Sequence, residues 1–122
     1  MYSPELLDHF EHPRNAGAIA EPDSAARIEN PACGDILELT LKLEGGRIRA
    51  IGFLAKGCVA SMACASAVTE LARGRTLAEA RQLSRQELVE SVGGLPPASM
   101  HATHLALDAL NAALDRLPPN QN

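Results

Sequence analysis

The chain has 122 residues, 46% of them hydrophobic but only 2% aromatic, and a formal charge of −4. That length suits one domain over residues 1–122 with a core of Ala, Leu, Ile, Val and Met, which favours closely packed helices over an aromatic-rich sandwich. The negative charge argues against nucleic acid or an anionic membrane surface as partner, and the longest apolar stretch, around residues 57–68, is too short to span a bilayer.

Ser3 followed by Pro4 supplies an N-cap and an N1 proline, and Leu6, Leu7 and Phe10 recur at helical spacing until Pro13, so the pattern predicts a helix over 4–12. His9 and His12 are expected to face solvent. The same stretch has no basic segment leading into an apolar one and does not read as a signal peptide, so the expected location is cytoplasmic. A loop follows, with a weak strand pattern at 26–30. From Asp35 to Glu44 the chain alternates: Leu37, Leu39, Leu41 and Leu43 point one way, while Glu38, Thr40, Lys42 and Glu44 point the other. That is the signature of a half-buried strand. Gly45-Gly46 suits a tight turn, and RIRAIGFLAKG returns as a second strand of an antiparallel hairpin.

After Gly57 the texture becomes small and apolar, CVASMACASAVTELARGR, a closely packed helix with Gly74 as its C-cap. Thr76 and Ser84 are each followed three residues later by a glutamate, the capping-box pattern, so two short helices are expected within 77–92. Gly93-Gly94 ends them and Pro96-Pro97 holds an extended link. Ser99 is the expected N-cap of a last helix reaching Arg116, with Leu107, Leu110, Leu114 and Leu117 as its buried stripe. Residues 117–122 read as a tail.

Cys33 and Asp35 flank Gly34, and in extended backbone their side chains leave on the same side. A thiolate and a carboxylate suit zinc or iron, but taken alone the three residues more often describe a packed cysteine beside an aspartate that caps a turn. Cys58 opens a helix, where backbone N–H groups and the helix dipole favour a thiolate, although a buried small residue is an equal reading. Cys64, six residues on, is rotated away by about 240° and is expected to pack in the core. His101 opens the last helix, and His104 stands one turn further on the same face, a spacing at which two imidazoles can share a metal. Cys33, Asp35, Cys58 and His101 all fall where elements begin, and four such ligands would close a tetrahedral site.

The blocks YSPELLDHFEHPRNAG, PACGD, FLAKGCVASMACAS, VTELARGRTLAEA, LPP and MHATHLALDAL stand in the order and spacing of one family. Over nearly its whole length the chain resembles the U-type iron-sulfur cluster scaffolds, the NifU N-terminal and IscU-like proteins. The resemblance implies an α+β fold: a three-stranded antiparallel sheet packed against helices, with a long C-terminal helix. It also implies a scaffold rather than an enzyme, with Cys33, Asp35, Cys58 and His101 holding zinc, iron or a labile [2Fe–2S] cluster, and His104 as a further candidate. The family's His-Cys pair at the start of the last helix is His101-Ala102 here, so the thiol that accepts persulfide sulfur from a cysteine desulfurase is missing, which weakens that partnership. The segment recognised by an Hsp70-type chaperone, LPP followed by valine and lysine, reads LPPAS, which puts that partner in doubt. Two alternatives stand beside the scaffold. One is a zinc- or iron-holding paralogue that regulates or binds partners without accepting sulfur; the other is a sulfur-transfer enzyme with Cys58 as nucleophile, His101 as base and Asp35 as orienter.

Overall fold

The computed structural model describes residues 2–31 and 34–117. Residues 118–122 of the expected tail lie outside them. Helix α1 (Pro4–Glu11) starts as the sequence predicts, with the Ser3 hydroxyl accepting the Leu6 N–H at 3.0 Å and Pro4 in the first turn. Strands β1 (Ser24–Glu29), β2 (Ile36–Glu44) and β3 (Arg47–Lys56) form one antiparallel sheet in the order β1-β2-β3. β1 begins two residues before the expected stretch. Helices α2 (Val59–Ala72), α3 (Leu77–Arg81), α4 (Arg85–Ser91) and α5 (His101–Asp115) follow, and a single 3-10 turn at Pro97–Ser99 leads into the last.

The leucine alternation of β2 is realised as burial: Leu37, Leu39 and Leu41 are sealed, and their partners on β3 include Phe53 opposite Leu39 and Ile51 opposite Leu41. The pairing register shifts between Lys42 and Leu43, and Leu43 is only half-buried. Against this sheet lies α2, apolar and buried on nearly every side, in contact with α1, α5 and β3. A helix without a polar face belongs at the centre of a molecule, and its many alanines let the neighbouring helices approach closely. α5 packs against α2, β1 and β2, burying Leu105, Leu110 and Leu114. Leu117, on the boundary between the expected stripe and the expected tail, is buried as well. The capping boxes at Thr76–Glu79 and Ser84–Glu87 form with both reciprocal hydrogen bonds.

The expectations for Ser99 and His9 are corrected. Ser99 does not cap α5: it ends the 3-10 turn, and Met100 already has helical angles (φ −63°, ψ −23°), so the turn runs into the helix without a side-chain cap. The physical reason is Pro97, whose ring fixes a helical φ at the start of that turn. His9 does not face solvent either; it is 5% exposed, with Nδ1 2.8 Å from the Ser66 hydroxyl of α2 and Nε2 3.8 Å from Glu70. His12 is exposed as expected.

Burial, with a smaller contribution from the Arg14 guanidinium, holds the His9 imidazole below its ordinary pKa, while Glu70 and Asp8 partly oppose the shift. The unfolded chain therefore binds a proton more readily than the fold, and stability must fall on acidification. The contribution is complete above the unfolded histidine value of about 6.5 and is lost as pH falls through the lower folded value. Urea midpoints of the metal-free protein should therefore decline between about pH 7 and pH 5. His9→Gln should flatten that decline; an unchanged slope would remove His9 as its source.

Candidate metal centre

Asp35 lies just ahead of β2, turned inward and 4% exposed. Across the sheet, β3 ends at Lys56 and α2 begins at Val59, so Gly57 and Cys58 form the junction between strand and helix. Cys58 is the N-cap of α2: its backbone is extended and its Sγ accepts the Ser61 N–H at 3.4 Å, a task that Ser, Thr, Asp or Asn usually performs. The Asp35 carboxylate lies against the same helix end, with Oδ1 accepting the Cys58 N–H at 3.3 Å. A Cβ on Gly57 would overlap that carboxylate, so glycine is what allows the approach.

The third group comes from the first turn of α5. His101 Nδ1 lies 3.2 Å from the Ala98 carbonyl, to which its N–H donates, so in the neutral ring that binds a metal Nε2 carries the lone pair toward the site. His101 Nε2 is 3.6 Å from Asp35 Oδ2 and 3.8 Å from Cys58 Sγ, and Sγ is 3.5 Å from Oδ2. The three ligand atoms thus form a nearly equilateral triangle within 4.8 Å. A tetrahedral zinc ion, with bonds of about 2.0–2.3 Å, holds its ligand atoms about 3.3–3.6 Å apart. The preformed edges match that size to within a few tenths of an ångström.

The donor set has a chemical preference. A buried carboxylate and a thiolate 3.5 Å apart repel unless a proton or a cation lies between them. One oxygen, one nitrogen and one sulfur favour zinc or iron over magnesium or calcium, which need many oxygens. Cys58 is exposed and His101 half-buried, so the group opens to the surface.

Of the residues read from the sequence, Asp35, Cys58 and His101 come together; Cys33 lies outside the described residues. His104 stands outside the three-residue group, exposed on the first turn of α5. It lines, with His101, Asp108 and residues 28–31, a cleft of about 210 Å³ beside the group. Ser61 was missed by sequence reasoning. It is 4% exposed, donates to Asp35 Oδ2 at 2.6 Å, and its Oγ lies 3.3 Å from Cys58 Sγ. The only sequence signal was a serine three residues after a helix-capping cysteine.

Cys64 packs in the core as expected, and burial, reinforced slightly by Cys58, pushes its thiol up to about 12. At pH 8 only about one Cys64 in 10⁴ would be thiolate, the reactive form. Iodoacetamide on the native protein should therefore modify Cys58 and spare Cys64 until denaturant is added, as peptide mass mapping would show. Equal labelling of both would contradict the burial of Cys64.

The model of the NifU-like N terminal domain matches residues 1–122. The chain belongs to this NifU N-terminal family. It is similar to the iron-sulfur cluster assembly scaffold protein IscU 1 of Archaeoglobus fulgidus, 42% identical over 114 residues, 93% of this chain and 74% of that protein. The scaffold protein IscU of Aquifex aeolicus is 36% identical over 115 residues, 93% of this chain and 73% of its own length. Those relatives are named as scaffolds, not as enzymes. The fold is shared with the N-terminal part of a nitrogen-fixing NifU-like protein from Brucella abortus, at 21% identity and a TM-score of 0.73, covering 93% of this chain and 91% of that one. In this NifU N-terminal chain Ala102, beside His101, is sealed in the core at 1% exposure. No helix among its described residues is long and apolar enough to cross a membrane.

Proposed function

We propose that this chain is a scaffold in iron-sulfur cluster assembly that holds iron, a [2Fe–2S] cluster or zinc as its cargo at Asp35, Cys58 and His101, with Cys33 as the further ligand. One observation carries the reading: a carboxylate oxygen, a sulfur and an imidazole nitrogen from three separate segments meet within 4.8 Å at the spacing of a tetrahedral ion. The names of its relatives point the same way. His104, in the adjoining cleft, is the alternative donor in place of the thiol that Ala102 lacks. A cysteine desulfurase is the partner that would supply sulfur, by way of Cys58 or Cys33. A reducing cytoplasmic setting, in which both thiols stay free, belongs to the same proposal.

The buried methyl of Ala102 favours a second reading, in which the chain holds zinc or iron and binds partners of the pathway without accepting sulfur. The enzymatic reading fits the geometry poorly. In a relay the carboxylate and the nucleophile engage opposite ring nitrogens. Here His101 Nε2 faces both Asp35 and Cys58, while Nδ1 is engaged by a backbone carbonyl.

Anaerobic purification followed by metal and sulfide analysis and an absorption spectrum tests the reading. A scaffold should come out brown, with iron and acid-labile sulfide; colourless protein with stoichiometric zinc alone would favour the second reading. Incubation with a desulfurase and its cysteine substrate should place a persulfide on Cys58 or Cys33 by mass spectrometry, and its absence would remove the acceptor role.

A further inference from the structure

The three candidate ligands account for the donor atoms but not for how a buried carboxylate is kept pointing at the other two. Asp35 carries two oxygens that could rotate about its side-chain bonds. Oδ1 is engaged by the Cys58 N–H at 3.3 Å, while Oδ2 is the oxygen that faces Cys58 Sγ and His101 Nε2. Oδ2 also accepts the Ser61 hydroxyl, at 2.6 Å. An ionised carboxylate only accepts, so Ser61 is the donor, and a hydrogen bond to a charged oxygen of this length is of the strong kind.

The serine also touches the second ligand. With its one hydrogen committed to Asp35, Ser61 Oγ offers a lone pair toward Cys58 Sγ at 3.3 Å and accepts the S–H of the protonated thiol. Its backbone N–H donates to the same sulfur at 3.4 Å and keeps doing so once the proton has given way to an ion. Ser61 is 4% exposed and sits in the first turn of α2.

We propose that Ser61 is the positioning residue of this centre: its hydroxyl locks the Asp35 carboxylate so that Oδ2 alone is presented to an ion, as a one-oxygen ligand beside Cys58 and His101. The inference rests on the metal-holding reading above and adds a cause of selectivity. A carboxylate pinned at both oxygens ligates through one atom, which suits a small tetrahedral thiophilic ion and disfavours calcium, which needs about six to eight oxygens and often draws two of them from one carboxylate.

The test uses the whole chain, zinc and cobalt(II), and the variant Ser61→Ala, which keeps the backbone N–H that Cys58 Sγ accepts as the cap of α2. Zinc affinity, measured by competition with a chromophoric chelator, should fall about 10–100-fold, the range seen when the groups that orient metal ligands are removed. In the cobalt-loaded protein the thiolate-to-cobalt charge-transfer band should persist while the visible d–d bands move or weaken, reporting altered oxygen ligation with sulfur retained. Affinity unchanged in the variant, with identical d–d bands, would overturn the inference while leaving the metal centre intact. Loss of the charge-transfer band would overturn it too, because the serine would then act through Cys58. A parent protein that bound neither ion would remove the metal reading itself and the inference with it.

Discussion

Cys58→Ala is expected to lower zinc affinity by more than about 100-fold, because a lost ligand must cost at least as much as the loss of a group that merely orients one. The same substitution should also destabilise the metal-free fold. Cys58 Sγ caps α2 by accepting the Ser61 N–H, and removing a capping acceptor costs about 1 kcal/mol. Cys58→Ser separates the two effects. A serine hydroxyl is a better N-cap acceptor than a thiol but a poor ligand for a thiophilic ion, so this variant should lose zinc binding while keeping its urea midpoint. Chelator competition and urea unfolding on the two variants measure both quantities. If Cys58→Ser kept its zinc, the centre would not depend on sulfur; if Cys58→Ala kept its stability, the thiol would not be the cap that its geometry indicates.

That dual role shows what a sequence does and does not disclose. The leucines of β2 and the capping boxes at Thr76 and Ser84 were legible because each depends on neighbours two to four residues away. Asp35, Cys58 and His101 were legible one at a time, as chemistry placed at the edges of elements. Their convergence was expected from the resemblance and not from local pattern, since it depends on the sheet bringing residue 35 beside residue 58 and on α5 returning across both. His9 went astray for the same reason. Only the packing of α1 on α2 supplies the Ser66 partner, 57 residues away, that makes its burial tolerable. Thr40 reads as an outward-facing strand residue, yet it is 5% exposed because the Ile19 N–H donates to its hydroxyl at 3.0 Å as the loop before β1 crosses the sheet. Ser61 hides in a helix rich in small residues, where a serine with a task looks like one without.

Gly52→Ala is expected to cost about 3 kcal/mol of stability, the upper end of what overpacking does to a well-filled interior. Gly52 lies opposite Thr40 on the face of the sheet turned away from α2, and that face is covered by residues 17–19. A Cβ there would overlap the Gly17 carbonyl oxygen and stand 3.2 Å from Ile19 Cγ1. The obstacle is backbone, which cannot swing aside like the end of a flexible side chain. Residues 15–17 are themselves tied to the edge of β3, with the Gly17 N–H donating to the Phe53 carbonyl at 2.7 Å and the Phe53 N–H to Asn15 at 3.1 Å. Room for the methyl is made only by lifting that segment and loosening those bonds, each worth about 1 kcal/mol. The backbone of Gly52 is not left-handed, so the penalty is steric alone. Gly46→Ala is the natural contrast, with open space around it but a φ of +77°, and it should cost about 1–2 kcal/mol through conformation alone. Urea midpoints rank the two, and amide exchange at Gly17 and Phe53 should accelerate in Gly52→Ala and stay unchanged in Gly46→Ala. A Gly52→Ala protein as stable as its parent would mean that the loop before β1 does not lie on the sheet.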